Sequence, residues 1–218
     1  MIQPSSGKVP VSTLERLANY LPLLIDMEKR RAKTISSTEV EKHTGISAAQ
    51  FRKDLSYFGD FGKPGVGYSV AELKSRISNI LHIDAKQDVL LVGAGNLGTA
   101  LAGSPGLKAL KFRLIAVFDN NQTKIGTPVL GHTVRCMSDI SKFCKRSKVK
   151  IAILAVPSTS AQQVTDTLIE VGVRAILNFA PLPLKVPDGI VVRNVSFLTQ
   201  LAVLSYDLKF GESTAESQ

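Results

Sequence analysis

The chain has no tryptophan, two cysteines and three histidines, and no apolar run near the ~18 residues that a bilayer-spanning helix requires. The opening residues, MIQPSSGKVP, lack the charged-then-apolar build of a secretory signal. The expectation is a cytoplasmic protein with no membrane partner. Cys136 and Cys144 match neither a zinc nor a thioredoxin-like spacing and read as reduced thiols. His132 lies four residues before Cys136, yet no further ligands accompany the pair, so no metal is expected. Acidic residues are also scarce: 18 against 27 basic ones, a net charge of +9. That excess suits a polyanionic partner. Residues 1–85 carry 12 basic and 9 acidic side chains and the remainder 15 and 9, so the surplus marks neither end.

What is present divides near residue 85. Before about Ile83 the apolar residues recur at three and four, and after Asp88 short apolar runs alternate with amphipathic segments. The expected organisation is a DNA-binding domain over 1–85, a nucleotide-binding domain over 86–196, a C-terminal helix over 197–210 and a disordered polar tail over 211–218.

The first part reads as three helices and a wing. Helix one spans about Val11 to Arg30; Pro22 inside it predicts a bend or a late start. Ser37 is the expected cap of the second helix, Gly45 permits a tight turn, and Ser47 caps a third, Ala48 to Phe58. At ~100° per residue Phe51, Leu55 and Phe58 share one side of that helix. Ala49, Lys53, Ser56 and Tyr57 share the other, flanked by Gln50 and Arg52. One buried stripe and one stripe of hydrogen-bonding groups after a Gly-containing turn is the pattern of a helix-turn-helix whose second helix enters the major groove of DNA. The loop GDFGKPGVGY, Gly59 to Tyr68, with four glycines, Lys63 and Pro64, reads as a tight hairpin or turn, a wing against phosphate or the minor groove. The alternative is a small helical domain with a solvated polar face.

The second part alternates strand and helix, with apolar strands at Val89–Val92, Phe112–Phe118, KIAILAVP, AILNFAP and IVVRNV. That predicts a parallel sheet covered on both faces. Helices are expected from Leu97, near Ile140–Cys144, over Ser160–Glu170 and over Phe197–Leu208. The first strand runs into G-x-G-x-x-G. Gly93 makes the tight turn, Gly95 leaves room for a pyrophosphate, and Gly98 lets helix and sheet approach; Ala94, Asn96 and Leu97 complete the loop at a helix N-terminus. Asp119 ends the second strand 21 residues after Gly98, where a ribose-binding acid is expected. No arginine follows it to receive a 2′-phosphate, only Asn120 and Asn121, so NAD(H) is favoured over NADP(H).

Catalytic machinery is missing. The roughly 120 residues after the boundary are consumed by a nucleotide fold, leaving no substrate domain. Tyr206 and Lys209 are one residue too close for a Tyr-x-x-x-Lys pair, and His82, before the fold, and His132, in a loop, have no evident carboxylate partner in sequence. The reading is a non-enzymatic sensor. The alternatives are an NAD-dependent oxidoreductase with an appended helical domain and a CoA- or nucleotide-binding interaction module.

The segments ISAAQFRKDLSYFGDFGKPGVGY, LLVGAGNLGTAL, FDNNQTKIG, IAILAVP and ILNFAP together resemble the Rex family of redox-sensing transcriptional repressors, from about Pro10 to Leu208. The resemblance implies a winged helix-turn-helix, a Rossmann-type NAD(H) domain, and a homodimer with swapped C-terminal helices that binds double-stranded operator DNA. By position it implies that Ser47, Gln50, Arg52, Lys53, Ser56, Tyr57 and Lys63 serve DNA binding. It also implies that Gly93 to Gly98, Asp119 and Lys124 hold the adenosine and pyrophosphate. Val156, Pro157, Asn178, Phe179 and Ala180 would border the nicotinamide. Three positions depart from the pattern: Pro22, Ser104 and Ser196 stand where the family often has Arg, Tyr and Asp. Those side chains link the nicotinamide pocket to the DNA domain in the resemblance. Their joint replacement implies a paralogue whose discrimination between redox states differs.

Overall fold

The computed structural model describes residues 9–62 and 66–215, with side chains through Lys209. Lys63, expected in the wing, lies outside the described residues. The chain divides into two compact units, Met1–Lys86 and Gln87–Gln218.

The first unit contains α1 (Val11–Lys29), β1 (Thr34–Ile35), α2 (Ser37–Thr44), α3 (Ala48–Ser56), β2 (Tyr68–Ser69) and α4 (Val70–Ile80). Leu17, Leu21 and Leu24 of α1 are buried with Val40 of α2, Phe51 and Leu55 of α3, and Leu73 and Ile77 of α4. The ring of Phe51 stands edge-on between Tyr20 and Tyr68, with centroids at 5.0 and 5.2 Å. Four differences from the sequence reading have local causes. Helix α1 starts at Val11 and continues through Pro22, whose ring lies on the exposed face while Tyr20, Leu21 and Leu24 anchor the opposite one. The cap of α2 is Ser36, not Ser37, because Ser36 and Glu39 satisfy each other's backbone N–H groups in a capping box. A fourth helix follows the wing, capped by Ser69. The strand pair joins β1 to β2, Thr34 opposite Ser69 and Ile35 opposite Tyr68, instead of lying wholly within Gly59–Tyr68.

The second unit contains β3 (Gln87–Val92), α5 (Asn96–Ala102), α6 (Pro105–Ala109), β4 (Phe112–Asp119), β5 (Pro128–Val129), β6 (His132–Cys136), α7 (Ile140–Ser147), β7 (Ile151–Leu154), α8 (Ser158–Glu170), β8 (Ala175–Asn178), β9 (Val191–Asn194) and α9 (Phe197–Ala215). One sheet runs β5-β6-β4-β3-β7-β8-β9, all pairs parallel except β5 with β6. The order reverses between β3 and β7, the switch point at which doubly wound sheets open a crevice. Leu90, Val92, Phe118, Ala152 and Leu154 meet Ile140, Cys144, Val164 and Leu168 of α7 and α8 on one face. Val89, Leu91, Val117 and Ile153 form the core of the other face with Leu101 and Leu107. That second face is not fully covered. An apolar groove of about 260 Å³ runs over Phe112, Ile151, Leu177 and Val191.

The final helix is longer than expected. It continues to Ala215, past residue 210, and so takes in part of the segment expected to be disordered. Phe197, Leu198, Leu201, Leu204, Tyr206 and Leu208 on it are each more than half exposed.

Candidate functional site

A cleft of about 530 Å³ opens beyond the carboxyl ends of β3, β4 and β7. Its floor is the glycine loop. Gly93 adopts φ +103°, and a Cβ there would lie 2.3 Å from the Ala155 carbonyl oxygen, so the β3 and β7 ends approach each other only because it has none. A Cβ on Gly98 would lie 1.8 Å from the Gly93 carbonyl oxygen; this is the close packing of α5 on the sheet. Above Gly95 the space is open, with only Lys124 Nζ near, at 3.9 Å from where a Cβ would be. Gly95 caps α5 without a side chain, which leaves the first N–H groups of the helix to a ligand.

Asp119 is fixed by the backbone around it. Its Oδ2 accepts from the Ala94 N–H at 2.7 Å and its Oδ1 from the Asn121 N–H at 2.8 Å. Lys124 Nζ sits 3.7 Å from Oδ2. The carboxylate therefore ties the glycine loop to the β4 end, with lone pairs left for ribose hydroxyls. Lys124 brings a positive charge to the rim where a pyrophosphate would rest.

Of the residues expected at the cleft, Gly93, Gly95, Asn96, Leu97, Asp119, Lys124, Val156, Pro157 and Phe179 line it. Ala94, Gly98, Asn178 and Ala180 are buried behind it. Asn178 is a scaffold: its Nδ2 donates to Leu182 O and Asn194 Oδ1, and its Oδ1 accepts from the Ala180 N–H. Asn120, Met137, Ser160 and Pro181 also line the cleft. Sequence reasoning missed Met137 because it follows β6, a strand within a stretch read as loop. A dinucleotide fits this donor set: an open glycine cradle, a carboxylate at ribose distance, one lysine, and an apolar end walled by Phe179 and Pro181.

The polar face of the first unit is built on α2 and α3. Gly45, at φ +71°, ends α2, and Ser47 accepts from the Gln50 N–H at the start of α3. Glu41 of α2 reaches across the turn to accept from the Ala48 N–H at 3.0 Å, so the two helices share a cap. Ala49, Arg52, Lys53 and Ser56 are exposed, and Gln50 and Tyr57 half-buried. Arg52 Nη1 donates to Ser37 Oγ at 2.8 Å, bracing α3 against α2.

Behind that face lies a charge that the sequence reading did not single out. Asp54 is fully buried. Arg16 meets it with two bonds of 2.7 Å, Tyr20 Oη donates at 2.9 Å, Thr13 Oγ1 at 3.3 Å and Gln50 Nε2 at 2.8 Å. Burial would push the Asp54 carboxyl up, but these donors outweigh it and hold it below the usual carboxylate range. Burial and the Asp54 charge together push the Tyr20 phenol up. The available signal was a carboxylate three residues after Phe51, inside the apolar stripe.

These two units define the class: a winged-helix protein joined to a Rossmann-type dinucleotide fold. Family models agree with the division, one described as "CoA binding domain" over residues 84–182 and one as "Putative DNA-binding protein N-terminus" over residues 8–56. The redox-sensing transcriptional repressor Rex of Pelotomaculum thermopropionicum is 42% identical over 208 residues, covering 95% of this chain and 98% of that one. Rex of Desulfitobacterium hafniense is 43% identical over 92% of this chain and 96% of its own. The solved structure of RSP in complex with beta-NAD+ and operator DNA matches with a TM-score of 0.86 at 35% identity, covering 97% of each chain. RSP in complex with beta-NADH matches at 0.84 and 33%, covering 98% of this chain and 100% of that one. The chain belongs to the Rex family of redox-sensing transcriptional repressors.

Proposed function

We propose that this protein is a transcriptional repressor, not an enzyme, that binds operator DNA through α3 and NAD(H) through the cleft, and whose grip on DNA follows the NADH/NAD+ balance. The observation that carries the reading is the cleft at the switch point. It pairs a glycine cradle with Asp119 and Lys124, in a chain whose relative RSP is described with both coenzyme forms and operator DNA. No helix among the described residues is long and apolar enough to cross a membrane, and work on chromosomal DNA belongs in the cytoplasm.

In this reading Asp119 receives ribose hydroxyls and repels a 2′-phosphate, Lys124 and the first N–H groups of α5 receive the pyrophosphate, and Val156, Pro157 and Phe179 border the nicotinamide. Nicotinamide supplies a ring charge in its oxidised form that its reduced form lacks. Phe179 and Pro181 desolvate that charge, and Asp119, at the adenosine end, is the one carboxylate among the lining residues. The cleft therefore favours the reduced form. Pro22, Ser104 and Ser196 carry no charge, so no ion pair can form between them. The preference for one redox form rests on the wall of the cleft.

Two unsatisfied apolar surfaces on one unit support a homodimer with exchanged helices. The open groove over Ile151, Leu177 and Val191 needs a cover, and α9 offers an exposed apolar stripe. A coenzyme shifts DNA affinity only by binding two dimer shapes unequally. The test is a titration of the protein on operator duplex with NADH and NAD+ in separate arms. Release by NADH at concentrations where NAD+ has little effect is expected. Identical responses would remove redox sensing, and equal affinity for scrambled DNA would remove the repressor.

A further inference from the structure

We infer that Gln50 reads adenine in the major groove, and that Asp54 is the positioning residue that sets its amide as a donor–acceptor fork. The inference rests on the DNA-binding reading above and names one base that the recognition helix selects.

Asp54 draws its donors from two elements. Thr13, Arg16 and Tyr20 come from α1, whereas Gln50 sits one turn earlier on α3 itself, its Nε2 2.8 Å from Asp54 Oδ1. An ionised carboxylate only accepts, so the amide must turn its NH2 group toward Asp54 and its oxygen away. One amide hydrogen serves Asp54. The other hydrogen and Oε1 remain as one donor beside one acceptor.

That pair has one partner among the base edges of the major groove. Adenine offers the N7 acceptor beside the N6 donor. Guanine offers two acceptors, cytosine a donor alone, and thymine an acceptor with a methyl group. Gln50 also stands where reading takes place. It is the third residue of α3, in the turn that faces base edges in helix-turn-helix proteins. It is half-buried, so its stem is packed, and its exposed neighbour Ala49 adds only a methyl group. Arg52, by contrast, braces α3 against Ser37, and Lys53 offers a point charge suited to phosphate. The clamp removes the rotamer freedom that a surface glutamine would otherwise lose on binding.

The test is a selection by the full-length protein from a pool of randomised palindromic duplexes, followed by equilibrium binding to every single-base-pair variant of the winner at several salt concentrations. Wild type, Gln50→Ala and Asp54→Asn are compared, with folding checked by circular dichroism. The wild type is expected to require an A·T pair at one position of each half-site. Gln50→Ala should lose that preference, about 5- to 150-fold, with other positions and the salt slope unchanged. Folded Asp54→Asn should weaken the preference at that same position, which a merely structural loss, equal across all sequences, would not do. Uniform weakening by Gln50→Ala, an unchanged profile, or a lost preference at a G·C pair would overturn the inference. The Gln50→Ala arm decides the base reading even where Asp54→Asn fails to fold. A wild type that selects no sequence overturns the DNA-binding reading and this inference with it; a wild type that selects, with a Gln50→Ala profile like its own, overturns this inference alone.

Discussion

Replacing Asp54 by alanine is expected to destabilise the first unit far more than any neighbouring surface change. The carboxylate is fully buried, and its removal strands partners that folded around it. Tyr20 is 1% exposed and its hydroxyl would lose its charged acceptor. Arg16 is better placed, because a quarter of its side chain already meets water. Breaking a buried ion pair by removing one partner costs about 3–5 kcal/mol, and the hydration left to Arg16 places this case near 3. For a unit of this size, Met1–Lys86, each kcal/mol lowers Tm by about 4–8 °C, so a fall of at least ~12 °C is expected. Tyr20→Phe removes one bond and leaves the carboxylate its other donors; about 1.5 kcal/mol is expected. Hydrogen exchange of the α1 and α3 amides across a urea series is the assay, since it reads the first unit without interference from the second. A loss below about 1 kcal/mol for Asp54→Ala, or a larger loss for Tyr20→Phe, would refute the reasoning. The pH dependence has a definite sign. Asp54 is held below the usual carboxylate range, so its contribution is complete above the unfolded value, near pH 4, and is lost as pH falls through the lower folded value. The wild-type acid limb should therefore be steeper than that of Asp54→Ala.

Asp119→Ala should weaken NAD(H) binding and narrow the discrimination against NADP(H), read by fluorescence titration with each reduced coenzyme. Gly98→Ala should abolish coenzyme binding, because its Cβ would lie 1.8 Å from a backbone oxygen that cannot yield. Leu201→Glu with Leu204→Glu, both on the exposed stripe of α9, should give monomers by light scattering. Cys136 should react with a thiol reagent well before Cys144. A Ser138 hydrogen bond pulls the first thiol's pKa down, and burial pushes the second one up.

The parts of the fold legible in the sequence were those with a strong local cause. The strand–glycine–helix junction at Gly93 to Gly98 is dictated by backbone contacts that only glycine allows, and the apolar stripe of α3 has a clear period. The hairpin of β5 and β6 was hidden because its two-residue turn is Leu130-Gly131, both at positive φ. The usual marker at the first position is Asn or Asp, not Leu. Helix α4 has Val70, Leu73, Ile77 and Ile80 at helical spacing, but the reading of this part ended at the glycine-rich loop before it and named no helix there. In the cleft, Asp119 was found from spacing alone. Pro181 was read with Phe179 as a wall of the pocket, whereas Met137 and Ser160 were not found, since one follows β6 and the other lies in the first turn of α8, and no local pattern marks either. Asp54 was passed over because a carboxylate on an apolar stripe looks like noise until Arg16, 38 residues away, is seen beside it.

The two apolar surfaces of the second unit also bear on the fate of a newly made copy. A lone subunit carries the groove over Ile151, Leu177 and Val191 and the greasy stripe of α9 at the same time, both open to water. Its survival against chaperone capture and proteolysis depends on how soon it meets a sibling, so expression level itself sets the yield of functional molecules.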